Sequence, residues 1–430
     1  MDRLYVAPSI LSGRTVAPPS KSYTHRVYVT SLLVEDKSMI INPLRAGDTY
    51  ATLRACRQFG GELIEEGENY VVLSGGELDL PDNVIDAENS GTTLRLFTAL
   101  SSLPPPGYVI LTGDDSLRKR PMQPLIDALR MLGVECWSSR GNGCAPIIVK
   151  SGGLKGGETT IRGDVSSQFI SALLIASTKA GKDVQINVEG EPVSKKYIDA
   201  TIEVLKRFGF KVDRDGYSLF EVYPNQTGRA VSFKIPGDFS SASFILAGAY
   251  LTGGRITVEN LDPSLPQADS AILNILEDFD VQVNIQDDKV NVESFGPTGG
   301  DRVFDLRDSP DLVPVVAVMA AKTSGETIIK GVRHARFKES DRISSTALEL
   351  MKLGVQVEVF EDGMKIKGLK KLEGGVELDS HNDHRLFMAF TMLAASTLKG
   401  CIINGLKWVK ISYPNFNEDL RKINASIKEI

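Results

Sequence analysis

The chain of 430 residues holds only four cysteines and four histidines. Cys56, Cys136, Cys144 and Cys401 form no Cys-x-x-Cys pair and no dense cluster, which excludes a disulfide scaffold and a cysteine-based zinc site and fits a reducing compartment. His381 and His384 are three apart, but the pair straddles a helix cap with no other histidine or cysteine close in sequence, so no metal is expected. No apolar run approaches a membrane span, and the N-terminus lacks the apolar core of a secretory signal and an Arg/Ser-rich transit stretch. Those absences set the expectation of a cytoplasmic protein. Positive charge is not in excess either: the formal net charge is -6, which argues against general nucleic-acid binding.

What the chain has in quantity is repetition. Six times, 70 to 76 residues apart, a helical tail ends on a residue that tolerates the left-handed conformation: Gly60, Gly133, Gly209, Asp280, Gly354 and Asn424. All but the last lead into extended apolar stretches such as Glu62-Leu63-Ile64 or Val355-Gln356-Val357. Asp and Asn visit that conformation next most readily after glycine. A second helix precedes each of these tails, starting near Lys21, Ser90, Ser166, Ser240, Asp311 and Asn382-Asp383. These helices read as apolar all round and therefore buried. Short β-like runs, Tyr108–Leu111 and Val184–Val188 among them, lie between. The pattern predicts an α/β fold of six units, each with two helices and several strands, and a length sufficient for two cores.

The helix starts are chemically unusual. A helix N-terminus is partially positive, so an exposed cation there costs about 0.3–1 kcal/mol. This chain nonetheless places Lys21, Arg26, Arg95, Arg342 and Arg385 at or just inside helix starts. Repeated violation of a cheap rule points to a compensating anion carrying phosphate or carboxylate groups.

The first start, Pro18-Pro19-Ser20-Lys21-Ser22-Tyr23-Thr24-His25-Arg26, resembles the Pro-Ser-Lys-Ser-x-x-x-Arg signature of the 5-enolpyruvylshikimate-3-phosphate (EPSP) synthase family of enolpyruvyl transferases. Other segments resemble that family's motifs in order: Asn89-Ser90-Gly91-Thr92-Thr93-Leu94-Arg95, Arg118-Lys119-Arg120-Pro121-Met122, Ser166-Ser167-Gln168-Phe169 and Ser194-Lys195-Lys196-Tyr197-Ile198. In the other half, Asp311, Lys338-Glu339-Ser340-Asp341-Arg342 and Asn382-Asp383-His384-Arg385 complete the series.

The resemblance implies a two-domain inside-out α/β barrel with three units per domain. Residues 1–20 with 236–430 would form the domain bearing the catalytic carboxylates and the phosphoenolpyruvate side. Residues 21–235 would form the shikimate 3-phosphate side, with the active site in the cleft between them. The implied reaction transfers the enolpyruvyl group of phosphoenolpyruvate to the 5-hydroxyl of 3-phosphoshikimate by addition and elimination, in aromatic amino-acid biosynthesis. It needs no metal and no organic cofactor. The implied catalytic residues are Lys21, Asp311 and Glu339. Those implied for shikimate 3-phosphate are Lys21, Ser22, Arg26, Ser166, Ser167, Gln168, Ser194, Tyr197, Asp311, His334 and Lys338. Those implied for phosphoenolpyruvate are Lys21, Asn89, Gly91, Thr92, Arg120, Gln168, Glu339, Arg342, Asp383, Arg385 and Lys410. A monomer is the expectation by analogy. Taken alone, Asp311 reads equally well as a helix cap, and Ser166 and Ser167 as ordinary caps.

Three positions depart from the family pattern. Leu96 stands where proline often follows the arginine, and His334 where some relatives have asparagine. Near the C-terminus, Ile411 occupies the usual lysine position and Lys410 lies one residue earlier, a slip that on a strand would reverse the side chain's face. Among rivals, the sister enzyme acting on UDP-N-acetylglucosamine usually has Lys-Asn in the first motif and a cysteine before its Arg-Pro, and Asp114–Arg120 contains none. A non-catalytic relative is disfavoured by the presence of Lys21, Asp311 and Glu339.

Overall fold

A computed structural model describes residues 2–67 and 69–430. The chain divides into two compact units. One, here the inner unit because its sequence is internal, is Pro19–Ile235; the other, the terminal unit, joins the residues up to Pro18 with Pro236–Ile430.

The inner unit contains α1 (Lys21–Leu32), α2 (Gly47–Gln58), α3 (Gly91–Leu100), α4 (Gln123–Met131), α5 (Ser167–Ser177) and α6 (Lys195–Arg207). Helices α1, α3 and α5 are buried nearly all round, and α3 packs on both α1 and α5. The other three bury one face and show charge on the opposite one, as α6 does with Lys206 and Arg207 beyond its buried Ile198, Val204 and Leu205. Each pair of helices serves one four-stranded sheet. Gly157–Arg162 runs parallel to Val184–Glu189, which pairs antiparallel with Leu219–Val222, and that strand pairs antiparallel with Val212–Asp215. The other two sheets repeat this order, and the first borrows Ser232–Lys234 as its parallel edge beside Ser38–Ile41.

The terminal unit repeats the plan with α7 (Phe239–Thr252), α8 (Ile272–Asp278), α9 (Val313–Ala321), α10 (Arg342–Lys352), α11 (His384–Ala395) and α12 (Phe416–Lys422). Every residue of α9 and α11 is buried, and α7, α9 and α11 pack on one another as the centre of its core. Its sheets show the same strand order, with two strands drawn from the start of the chain. Gly13–Val16 lies parallel to Arg255–Glu259, and Arg3–Val6 fills the third position of the last sheet, between Cys401–Asn404 and Ile427–Glu429. The repeat is thus circular in topology, with the termini cut into its last hairpin.

All six repeat terminators adopt positive φ: 87° at Gly60, 84° at Gly133, 87° at Gly209, 62° at Asp280, 84° at Gly354 and 62° at Asn424. The left-handed residue stops each even-numbered helix and turns the chain into the next strand. Among the described residues no helix is long and apolar enough to cross a membrane.

Candidate active site

The helix starts of the inner unit share one device. Ser20 caps α1, Ser90 caps α3 and Ser166 caps α5, each hydroxyl accepting from a backbone N–H of the first turn. A neutral cap satisfies an orphan donor without cancelling the partial positive charge of the helix end. Cations gather at these ends. Lys21 Nζ lies 2.9 Å from Asp48 Oδ2 on α2. Arg26 is buried, and its hydrogen-bond partners are uncharged: Thr201 Oγ1 at 2.7 Å, the Ser22 carbonyl at 2.9 Å, the Tyr197 carbonyl at 3.1 Å and Ser171 Oγ at 3.4 Å. Burial pushes its pKa down to about 10, still far above neutrality, so the guanidinium remains charged.

A second group forms where α3 and α5 begin. Arg95 Nη1 donates to Gln168 Oε1 at 2.6 Å, and Gln168 Nε2 donates to Thr92 Oγ1 at 3.0 Å. Arg120 Nη2 donates to Asn89 Oδ1 at 3.0 Å, while Asn89 Nδ2 donates to Asp114 Oδ2 at 2.6 Å. Gly91 is the first residue of α3, and a Cβ built there would stand 2.6 Å from Arg95 Nη1 and 3.1 Å from Arg120 Nη1. Its lack of a side chain leaves room between two guanidinium groups at a helix N-terminus, a ready anion cradle. Ser194 precedes α6 in a left-handed conformation, φ 57°, and makes no side-chain cap bond. Such a conformation is costly for serine and recurs at ligand-binding turns.

The terminal unit builds its helix starts differently. Asp238 caps α7, Asp341 caps α10 and Asp383 caps α11. Here the cations are answered by carboxylates. Arg342, 1% exposed, donates to Asp311 Oδ1 at 2.5 Å, Glu339 Oε2 at 2.6 Å and Asp383 Oδ2 at 2.8 Å. Arg385 Nη2 lies 3.0 Å from Asp311 Oδ2, and Lys338 Nζ lies 3.7 Å from Asp311 Oδ1. Burial alone would raise the Asp311 pKa, but Arg385, Lys338 and Arg342 outweigh it and hold the carboxyl well below the usual range. Asp311 sits in the 3₁₀ turn Pro310–Leu312 ahead of α9, and its carboxylate engages these cations. His334 lies in the 3₁₀ stretch Arg333–Phe337; burial and the Lys338 charge push its pKa down to about 4.

The structure therefore groups Lys21, Ser22, Arg26, Asn89, Gly91, Thr92, Arg120, Ser166, Ser167, Gln168, Ser194 and Tyr197 at helix starts and loops of the inner unit, and Asp311, Lys338, Glu339, Arg342, Asp383 and Arg385 as one network in the terminal unit. Lys410 differs from its expectation. Residues Leu406–Ile411 form a 3₁₀ helix and not a strand, because Gly405 turns left-handed at φ 93° and bonds such as Trp408 N–H to the Gly405 carbonyl close tight turns. The face-reversal argument does not apply there, and Lys410 is exposed with no hydrogen bond or ion pair to the network among the described residues. The sequence reading passed over Asp48, the Lys21 counter-ion, whose signal was an acid in the first turn of α2. Arg95 was noted as a cation but not as a site residue, although it pairs with Gln168.

Two units of three repeats each, with cationic helix starts, are an arrangement that solved structures share. The enolpyruvyl transferase NikO from Streptomyces tendae shares the fold, with TM-score 0.79 at 16% identity over 99% of this chain and 98% of that one. EPSP synthase from Acinetobacter baumannii aligns with TM-score 0.82 at 25% identity over 100% of this chain and 99% of that one. A family profile for EPSP synthase (3-phosphoshikimate 1-carboxyvinyltransferase) matches residues 6–420. The 3-phosphoshikimate 1-carboxyvinyltransferase of Methanothermobacter thermautotrophicus is 48% identical over 418 residues, covering 96% of each chain. That of Methanocaldococcus jannaschii is 44% identical over 420 residues, covering 97% of each. The chain belongs to the EPSP synthase family.

Proposed function

We propose that the two clusters divide the labour of one 3-phosphoshikimate 1-carboxyvinyltransferase reaction, the activity of this family in the shikimate pathway. The substrates are shikimate 3-phosphate and phosphoenolpyruvate. In the inner unit, Ser22, Arg26, Ser166, Ser167, Ser194 and Tyr197 hold shikimate 3-phosphate. Its phosphate replaces water against helix ends whose caps are neutral. Asn89, Gly91, Thr92 and Arg120 supply the cradle for phosphoenolpyruvate, Gln168 contacts both substrates, and Lys21 bridges them. In the terminal unit, Lys338 and His334 add contacts to shikimate 3-phosphate. Arg342 and Arg385, oriented by Asp383, pair with phosphoenolpyruvate, with Lys410 as an outlying cation.

The chemistry follows from this division. The substrate 5-hydroxyl oxygen attacks C2 of phosphoenolpyruvate while Asp311 accepts the hydroxyl proton and the methylene carbon takes a proton from the protonated carboxyl of Glu339, which gains it once Arg342 turns to the substrate. Elimination returns a methyl proton to Glu339, breaks the C2–O bond to phosphate and passes the proton held by Asp311 to the departing phosphate, which restores both carboxyl groups. Asp311 is too weak a base while three cations hold it ionised. An anionic substrate that draws Arg342 and Arg385 onto its own oxygens weakens that hold and raises the basicity of Asp311 when it is needed. The observation that carries this reading is the ion-pair network of Arg342 and Arg385 on Asp311. Cytoplasmic location accords with substrates that are phosphorylated metabolites.

The test is phosphate release by purified protein given both substrates, with each omitted in turn. Release that requires both, and falls by about 10²–10³ in Lys21→Ala and Asp311→Ala, supports the reading. Release that persists without shikimate 3-phosphate contradicts it.

A further inference from the structure

His381, one of the two histidines three apart near the start of α11, has no part in the proposed reaction, whereas Asp383 two residues on does. The segment is conformationally unusual. His381 and Asn382 both adopt positive φ, 50° and 61°, immediately before Asp383 begins α11. Two consecutive non-glycine residues in this region persist only when surrounding contacts fix them. The contacts converge on Glu349, whose side chain is fully buried on α10. Glu349 Oε1 lies 2.8 Å from His381 Nε2, and Oε2 accepts from the Asp379 backbone N–H at 2.9 Å and from Lys352 Nζ at 2.7 Å. Asp379 Oδ1 in turn accepts from the His381 backbone N–H at 2.7 Å, and the Ser380 carbonyl accepts from Asp383 N–H at 2.9 Å. One carboxylate thus grips the turn at Asp379 and again at His381.

We propose that His381 and Glu349 form a latch that positions Asp383, and through it Arg342 and Arg385, for phosphoenolpyruvate. The latch sits one step outside the site: Asp383 caps α11 by accepting from the Arg385 N–H at 2.8 Å and receives Arg342 Nε at 2.8 Å. Arg342 opens α10, and Glu349 lies seven residues further along the same helix, two turns on and therefore on the same side. The latch ties the turn before α11 to the helix that carries Arg342. His381 and Glu349 are positioning residues, since neither touches the network directly.

The charged groups acting on His381 are Glu349 and Lys352 of α10 and Asp379 of the strand Glu377–Asp379. The hydrogen bond to Glu349 raises the His381 pKa above its ordinary 6.5, against the opposing effect of burial. The charged latch is complete below pH 6.5 and loses its charge as pH rises through the raised value. A neutral imidazole that keeps a proton on Nε2 still donates, so deprotonation loosens the latch without releasing it.

This inference rests on the roles proposed for Arg342 and Arg385, and one experiment separates the two. Steady-state kinetics of wild type, His381→Ala and His381→Gln are measured with both substrates from pH 6 to pH 9. The expected result is a KM for phosphoenolpyruvate raised about tenfold in His381→Ala, with kcat and the KM for shikimate 3-phosphate changed far less. His381→Gln, which keeps an uncharged donor, restores most of that KM but lacks the wild-type rise toward high pH. Wild-type pH dependence retained in His381→Gln, or an unchanged KM in His381→Ala whether or not its melting temperature falls, overturns the latch while leaving the transferase reading intact. Absence of transfer in the wild type would instead remove the reading on which the latch rests, and the latch with it.

Discussion

The two units solve the same problem of helix starts in opposite ways. In the inner unit the side-chain caps of α1, α3 and α5 are serines, and Arg26 donates to hydroxyls and carbonyls and lies over the Tyr197 ring. In the terminal unit the caps of α7, α10 and α11 are aspartates, and three cations face the carboxylates of Asp311, Glu339 and Asp383. The first arrangement leaves positive potential for an incoming anion. The second is internally balanced, with Asp311 held well below the usual carboxylate range by the cations around it. On the proposed function, similar folds serve as a mainly binding half and a mainly reacting half, and the choice of serine or aspartate caps is one source of the difference.

The comparison is broken most severely by removing Arg342. Arg342→Ala strands buried carboxylates, so stability should fall by about 3–5 kcal/mol along with loss of transfer. Arg26→Met in the inner unit should cost far less stability, because Ser171 Oγ and Thr201 Oγ1 already lie 2.8 Å apart and can satisfy each other. Denaturant melts of the two variants check the contrast, and equal losses would erase the distinction between the halves.

A pH experiment sharpens it next. Unfolded His334 binds a proton below about pH 6.5, whereas in the folded protein its pKa is about 4. The unfolded state therefore binds more protons over that window, and stability falls as pH drops from 6.5 toward 4, by up to about 3 kcal/mol. His334→Asn should flatten the curve there. Asp311 acts lower on the pH scale: its depressed pKa keeps its stabilising contribution present above the unfolded value and loses it only as pH falls through the lower folded one. The network should thus outlast mild acid while the His334 contribution does not.

Gly91→Ala separates binding from folding. Alanine favours a helix over glycine by about 0.5–1 kcal/mol, so the melting temperature should hold or rise. Its Cβ would press on Arg95 and Arg120 and narrow the cradle. The KM for phosphoenolpyruvate should increase by about tenfold. The smallest effect is expected from Lys410→Ala, exposed on its 3₁₀ turn, with a change in that KM of about threefold or less.

Much of this was legible in the chain. The six left-handed terminators announced themselves because only Gly, Asn and Asp bear positive φ cheaply, and serines and aspartates marked the helix starts. The long-range pairing was not legible. Nothing local in Arg3–Val6 tells that it closes the last sheet of the terminal unit, since four-residue strands carry no partner information. Val409 to Ile411 looked extended because apolar residues flank a lysine, but Gly405 sets a tight turn whose i to i+3 bonds override that pattern. Asp48 and Glu349 escaped notice because each works on a residue 27 or 32 positions away, at a separation that only folding reveals.

The division between a binding half and a reacting half is tested most directly by calorimetric titration of shikimate 3-phosphate, without phosphoenolpyruvate, into wild type, Arg26→Met and Arg385→Met. Affinity reduced by about 100-fold in Arg26→Met and by no more than about threefold in Arg385→Met is the predicted result. Binding that survives in Arg26→Met but collapses in Arg385→Met would contradict the account.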